Sequence, residues 1–244
     1  MERFRFHEVG RHLGNRYLIW DFDGTLAYRR GTWSGCLRDA VLRAIPQHEV
    51  TADQLRPHLQ TGFPWHTPHL VSAGVKTAEE WWDRLNPVFE RAFVAVGIDI
   101  EQAQNLAREI RHIYSDPEKW QLYEDTHAAL TSLSEQGWQH IVLSNHVPEL
   151  GTIIRHLQLD SHFVAVISSA ITGYEKPHPE AFRLALAATE NAGAVWMIGD
   201  SMVADIAGAA AVGIPGVLVR KQHPDAQFSC SDLSGLASLL PLSA

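Results

Sequence analysis

The chain has 244 residues, 45% of them hydrophobic and 20% charged, which is too long and too apolar for a disordered tail and enough for one large or two modest cores. Its formal net charge of −8 offers no broad positive surface to a phosphate backbone and argues against nucleic acid as a partner. The two cysteines, Cys36 and Cys230, lie too far apart in sequence for a CxxC metal site and are too few for a disulfide framework.

The N-terminus carries Arg3, Arg5 and Arg11 without the apolar stretch that a secretory signal needs. The longest uncharged apolar run, 206–219, is broken by Gly and Pro and falls short of the roughly 20 residues of a membrane span. A soluble, cytoplasmic protein with no membrane partner is expected.

In chain order, the first element is an apolar run at 17–20 that ends at Asp21. The next comparable runs lie at 140–143 before Ser144, 163–167 before Ser168-Ser169, 194–198 before Gly199, and 216–219 before Arg220. Short continuous apolar runs suit parallel strands buried on both faces. Helix-period stretches at 126–136, 147–157, 177–190 and 203–212 alternate with them. Pro148 and Pro177 stand where first-turn prolines are expected, and Gly137 and Gly213 where C-terminal glycines are. Strand and helix in alternation predict an α/β fold, a Rossmann-like parallel sheet.

One interval breaks the rhythm. Asp21 and Ser144 close successive strands yet stand 123 positions apart, where a βαβ unit needs about 30 residues. About 90 residues are therefore inserted. The insert reads almost wholly helical, with stripes at Leu37, Ala40, Val41 and Ala44, at Trp81, Leu85, Val88, Phe89, Ala92 and Phe93, and at Leu106, Ile110 and Ile113. Its less regular stretches are 61–73 and 96–99. We expect a discontinuous sheet domain (1–28 and 121–244) and an inserted α-helical domain (29–120). The insert holds 11 Lys+Arg and 12 Asp+Glu against 9 and 16 in the rest, so the acidity belongs to the sheet domain.

Ligand sites in parallel sheets form beyond the carboxyl ends of the strands. Those ends carry Asp21-Phe22-Asp23-Gly24-Thr25, Ser144-Asn145 and Gly199-Asp200 with Asp205 further on, while Lys176-Pro177 precedes the fourth strand. Four carboxylates crowded at one edge repel each other. A hard divalent cation resolves the conflict, and oxygen ligands favour Mg2+ over zinc. Strand alternation puts Asp21 and Asp23 on one side of the chain, so that one can be a nucleophile and the other a proton donor. Lys176 would add a positive charge, and Ser144 with nearby backbone N–H groups would hold an anionic oxygen.

This constellation resembles the haloacid dehalogenase superfamily. Its motifs occur in order as Asp-x-Asp-Gly-Thr at 21–25, Ser144, Lys176 before Pro177, and Gly-Asp-x-x-x-x-Asp at 199–205. The helical insert stands where the C1-type cap of that superfamily stands. The resemblance implies a hydrolase, a Mg2+-dependent phosphatase of a small phosphorylated metabolite. It implies Asp21 as nucleophile, Asp23 as general acid and then base, and Lys176 as the third catalytic residue. Asp21, Asp23 through its backbone carbonyl, Asp200 and Asp205 would hold the metal. Thr25, Ser144, Asn145 and Lys176 would bind the phosphoryl group. A 2-haloacid dehalogenase would have no use for Asp23 or for Asp200 with Asp205; a phosphomutase would keep every motif. A non-enzymatic protein using the Trp-rich insert is the remaining alternative.

Other residues carry two readings each. His66 and His69 have HxxH spacing but no carboxylate or cysteine company. His146 and His178 read as solvated loop residues, with substrate contact as the alternative. Arg29 and Arg30 read as a solvated hinge pair, with a leaving-group contact as the alternative. Trp81 and Trp82 are expected to divide between the insert's core and its seam with the sheet domain. The loop Gly62-Phe63-Pro64-Trp65-His66 is a candidate substrate-facing segment. The junctions near 27–31 and 118–124 are expected hinges.

Overall fold

A computed structural model describes residues 15–72 and 77–241. The arginines at 3, 5 and 11, and position 73 at the end of the irregular stretch, lie outside the described residues.

Six parallel strands form one sheet: β1 (Asn15–Trp20), β4 (Trp138–Ser144), β5 (Phe163–Ser168), β6 (Ala192–Gly199), β7 (Gly216–Val219) and β8 (Ser229–Cys230). Their order is β5-β4-β1-β6-β7-β8, with β1 in the centre. The central strand pairs Ile19 with Ile141 of β4 and with Met197 of β6. Two further strands, β2 (Ala27–Arg29) and β3 (Trp120–Leu122), form a separate antiparallel ribbon.

Period-2 alternation divides the central strand between two apolar layers. Tyr17 and Ile19 pack with Ile141, Met197 and Phe182 on one face. Leu18 and Trp20 pack on the other face with Val142, Leu130 and Ile153. That second layer continues without interruption through Phe22, Leu26 and Trp120 into the buried residues of the insert. The insert is thus built onto one face of the sheet domain and shares its core.

Three long helices form the insert: Thr32–Ala44, Ala78–Ala95 and Ile100–Tyr114. Thr77 caps the second by accepting from the Glu80 N–H, and Asp99 caps the third by accepting from the Gln102 N–H. The predicted stripes face inward except at Ala44, which is exposed in its helix's last turn: Leu37, Leu85, Phe89 and Ile110 are fully or almost fully buried. The insert's two ends are paired as β2 and β3, an element the sequence reading lacked. Three-residue strands carry no period, and Tyr28 and Gln121, whose side chains hydrogen-bond at 2.9 Å, lie 93 positions apart.

Four expectations need correction. The strand at 163–167 is a sheet edge, so Val164 and Val166 are exposed and only alternate side chains face inward. The helix placed at 147–157 spans Leu150–His156, leaving Pro148 in the preceding loop. The helix placed at 177–190 spans Pro179–Ala187, so Pro179 holds the first-turn position assigned to Pro177. The helix placed at 203–212 opens as a π-helical turn, Met202–Ala207, before a short α segment, Gly208–Ala210. Gly137 and Gly213 do end their segments in the left-handed region, at φ 86° and 81°.

Candidate active site

Every carboxylate singled out in the sequence stands just beyond the carboxyl end of β1 or β6. Asp21 follows β1, and its N–H donates to the Ile198 carbonyl at 2.9 Å, which extends the sheet by one bond. The chain then turns tightly: the N–H groups of Leu26 and Ala27 both donate to the Phe22 carbonyl at 3.0 Å, and Gly24 donates to Ala27 at 2.8 Å. Gly24 has φ 89°, and a Cβ there would lie 2.6 Å from Asp200 Oδ2. Only glycine lets this turn approach Asp200 so closely. Gly199 serves the same end, since a Cβ there would lie 2.3 Å from the Asp205 carboxyl.

Asp205 is placed by the widened turn. The N–H groups of Asp205 and Ile206 both donate to the Ser201 carbonyl, at 3.0 and 3.1 Å, while the Ser201 N–H donates to Asp205 Oδ2 at 2.9 Å. This loop–side-chain exchange brings Asp205 inward to 1% exposure. Lys176, 2% exposed, donates to both Asp205 Oδ1 and Asp21 Oδ1, the latter at 2.8 Å. Burial alone would pull its ammonium pKa down, but the Asp205 and Asp21 carboxylates outweigh burial and hold it above the usual lysine value.

Ser144 Oγ donates to the same Asp21 oxygen at 2.9 Å, and Thr25 Oγ1 reaches Asp21 Oδ2 at 3.5 Å. Asn145 does not touch Asp21. Its amide nitrogen donates to the Lys176 carbonyl at 2.9 Å and its carbonyl accepts from the Lys176 N–H at 2.7 Å. That two-point clasp ties the segment carrying Lys176 to the end of β4. The expected residues are therefore gathered in one place, with Asn145 lining the cavity and clasping the Lys176 backbone.

Asp21, Asp200 and Asp205 each bring a carboxylate oxygen within 4.8 Å of the others, a group that could hold a metal ion. The Asp23 carboxyl is not among them. Burial pushes the Asp23 carboxyl up to about 7, and the Asp21 and Asp200 carboxylates add to the shift. Asp200 is raised for similar reasons, by burial and by Asp21.

These residues floor a cavity of about 420 Å3 whose opposite wall includes Trp33, Trp65, Pro68 and Tyr114 from the insert. Of the 62–66 loop, Trp65 lines the cavity. His66 and His69 do not, and His66 Nδ1 accepts from the Phe63 N–H at 3.4 Å. Trp82 lies at the seam as expected, donating to the Glu149 carboxylate at 3.1 Å.

Two charged-residue readings are overturned. Arg29 is no solvated hinge residue: it is 5% exposed, donates to the Ile113 carbonyl at 2.9 Å and stands over the Tyr114 ring. His146 is equally no solvated loop histidine. It is 2% exposed in a nest of Phe22, Trp120 and Tyr114, and burial lowers its pKa to about 4. His178 instead caps the Pro179–Ala187 helix, with Nδ1 accepting from the Glu180 N–H at 3.1 Å.

Two residues went unread. Lys221 pairs with Asp200 Oδ2 at 2.6 Å. Arg220 donates to the Thr25 carbonyl at 3.0 and 3.2 Å and to the Asp125 carboxylate. Both follow β7, so the rule that located the other groups, reading what lies past each strand's carboxyl end, would have found them.

A profile of haloacid dehalogenase-like hydrolases matches residues 16–213. The chain belongs to that family. It is therefore a hydrolase by family, on the α/β fold with an inserted helical domain. Among relatives, it is 33% identical over 221 residues to haloacid dehalogenase-like hydrolase domain-containing protein 3 of Bos taurus, covering 88% of this chain and 86% of that protein. It is 31% identical over 153 residues to a phosphoserine phosphatase of Thermus thermophilus, covering 57% of each chain. In solved structures, the hydrolase YfnB of Bacillus subtilis, determined with magnesium bound, superposes with a TM-score of 0.70 at 20% identity, covering 93% of this chain and 98% of that one. Among the described residues no helix is long and apolar enough to cross a membrane.

Proposed function

We propose that this hydrolase is a Mg2+-dependent phosphatase of small phosphorylated metabolites, with Asp21 as the nucleophile. The observation that carries the reading is the convergence of Lys176 Nζ and Ser144 Oγ on Asp21 Oδ1, with Asp23 raised beside it. One Asp21 oxygen attacks phosphorus, and the phosphorus–oxygen bond to the leaving alcohol breaks. Asp23, kept partly protonated near neutral pH by burial and its acidic neighbours, gives its proton to the departing alkoxide. In the second step Asp23 takes a proton from water, whose oxygen attacks the phosphoryl group and releases Asp21 and inorganic phosphate.

Lys176 stays charged between two carboxylates and neutralises the equatorial oxygens in the transition state. Ser144 flanks the same group, while Thr25, fully buried and outside the cavity lining, reaches Asp21 Oδ2 from behind. Asp21, Asp200, Asp205 and the Asp23 carbonyl would hold the ion, and the oxygen-only set suits Mg2+. When bound, Mg2+ would offset the repulsion among these carboxylates and between them and an anionic substrate. The insert (29–120) acts as the cap that excludes water, turning on the β2–β3 ribbon. The phosphatase name of the Thermus thermophilus relative supports the reaction class.

The test is Asp21→Asn, assayed against a generic aryl phosphate in Mg2+. Hydrolysis should fall by about 10^3-fold or more while circular dichroism stays unchanged. Wild-type turnover in the variant would end the aspartyl-phosphate mechanism.

A further inference from the structure

The cavity over Asp21 has two unlike walls. Its floor carries four carboxylates, Asp21, Asp23, Asp200 and Asp205, against the single ammonium of Lys176. That ammonium is already committed to Asp21 and Asp205. No arginine and no second lysine lines the cavity among the described residues. Other cations near the site are engaged: Lys221 with Asp200 at 2.6 Å, Arg29 with the Ile113 carbonyl, and Arg111 with Glu149. The imidazole of His146 is neutral in its aromatic nest, since burial depresses its pKa. A second acidic group on a substrate's leaving portion would therefore find no uncommitted side-chain cation among the described residues to receive it.

The opposite wall is aromatic. Trp33 stacks on Tyr114 with centroids 3.7 Å apart and an interplanar angle of 9°. Trp65 stacks on Phe63 at 4.7 Å and 18°, and meets Trp33 at 5.8 Å. Phe63 is buried, whereas Trp65 is half-buried and lines the cavity. Phe63 covers one face of Trp65 and Trp33 packs against it at a tilt, and the remaining area of the indole borders the cavity. Pro68 and Val203 complete an apolar rim, and Val203 is 67% exposed there. An indole held by a buried phenyl ring offers a flat, pre-ordered surface, which suits a ring far better than a hydrated or charged chain.

We propose that the leaving group of this enzyme is an uncharged, ring-bearing alcohol seated against Trp65. The substrate class is then phosphate monoesters of flat neutral alcohols, and not esters that carry a carboxylate or a second phosphate. The inference rests on the phosphatase reading above and narrows it.

The experiment compares kcat/KM of the wild-type enzyme in Mg2+ for 2-phenylethyl phosphate, ethyl phosphate and phosphoserine. All three leave as aliphatic alcohols, so a preference for the ring cannot come from an aryl leaving group's acidity. The 2-phenylethyl ester should exceed both others by about tenfold or more. Trp65→Ala and the bulk-retaining Trp65→Leu, each checked by circular dichroism, should both shrink the ratio of 2-phenylethyl to ethyl ester towards one. Equal kcat/KM values, a preference for phosphoserine, or a ratio untouched in a folded Trp65 variant would overturn the substrate class. In those cases the phosphatase reading survives, provided hydrolysis is lost in Asp21→Asn. If the wild-type enzyme hydrolyses no ester in an Asp21-dependent way, the phosphatase reading itself falls, and the substrate class with it.

Discussion

At the scale of single residues, two buried titratable side chains outside the proposed reaction set how stability depends on pH. Glu175 is the first. It is 1% exposed beside Lys176, and neither carboxyl oxygen has a hydrogen-bond partner of normal geometry. Burial pushes its pKa up to about 7, against the smaller opposing pulls of Ser169 and Lys176. A carboxyl raised on folding binds its proton more tightly in the native state, so stability falls as pH rises from the usual glutamate range towards 7. We expect Glu175→Gln to melt near the wild type at pH 5 and above it at pH 8, by about 3 kcal/mol in unfolding free energy at most. A melting difference that does not change with pH would refute the assignment. His140 behaves in the opposite sense. Its Nδ1 accepts from the Trp20 indole at 3.0 Å, and burial lowers its pKa to about 4. The stability it contributes is therefore lost as pH falls from the ordinary histidine range towards 4.

At the scale of elements, two contacts fix how loops and helices present the site. Arg220, just past β7, clamps the turn that follows β1: its guanidinium holds the Thr25 carbonyl and the Asp125 carboxylate while covering the Tyr123 ring at 4.0 Å. Asp125 in turn accepts from the Leu233 N–H at 2.7 Å, which ties the C-terminal segment to the same knot. Arg220→Met should lower kcat about tenfold and stability by about 2 kcal/mol, read by steady-state kinetics and urea unfolding. An unchanged kcat would show that the loop holds its shape without the clamp. The second contact joins cap to sheet domain: Glu149, before the Leu150–His156 helix, accepts from Trp82 and from Arg111 at 3.0 Å. Glu149→Ala should speed amide hydrogen exchange in the Ala78–Ala95 helix and raise KM a few-fold. Unaltered protection there would mean that the shared apolar core alone keeps the cap down.

At the scale of the whole molecule, charge and architecture meet at one edge of the sheet. The net charge of −8 falls mostly on the sheet domain, and four of its carboxylates floor the cavity. Such a floor repels both itself and a phosphate ester. If a divalent ion resolves this, EDTA should abolish turnover and Mg2+ restore it. Mg2+ should also raise the melting temperature of the wild type but not of Asp200→Asn. Activity that persists after thorough chelation would remove the metal from the mechanism.

The residues past the strand ends were legible because local rules place them. A buried parallel strand must be followed by a turn at the sheet's carboxyl edge, so Asp21, Ser144 and Asp200 could be assigned to one edge from the apolar runs that precede them. The alternation of Tyr17 and Ile19 against Leu18 and Trp20 between two cores follows from the same period of two. Gly24 and Gly199 could be read as part of motifs, but their reason is spatial: each leaves room for a carboxylate from elsewhere in the chain. The rest depended on which surfaces the insert lays against the sheet. No local pattern pairs Ala27 with Leu122, buries Arg29 under Tyr114, or encloses His146 among Phe22, Tyr114 and Trp120. Those contacts join segments scores of residues apart and exist only once both faces are packed. The sequence by itself determined the fold and the acidic edge, since both follow from periodicity and from chemistry close along the chain. Tertiary structure alone decided the aromatic wall above them, because that wall is made where two separately patterned surfaces meet.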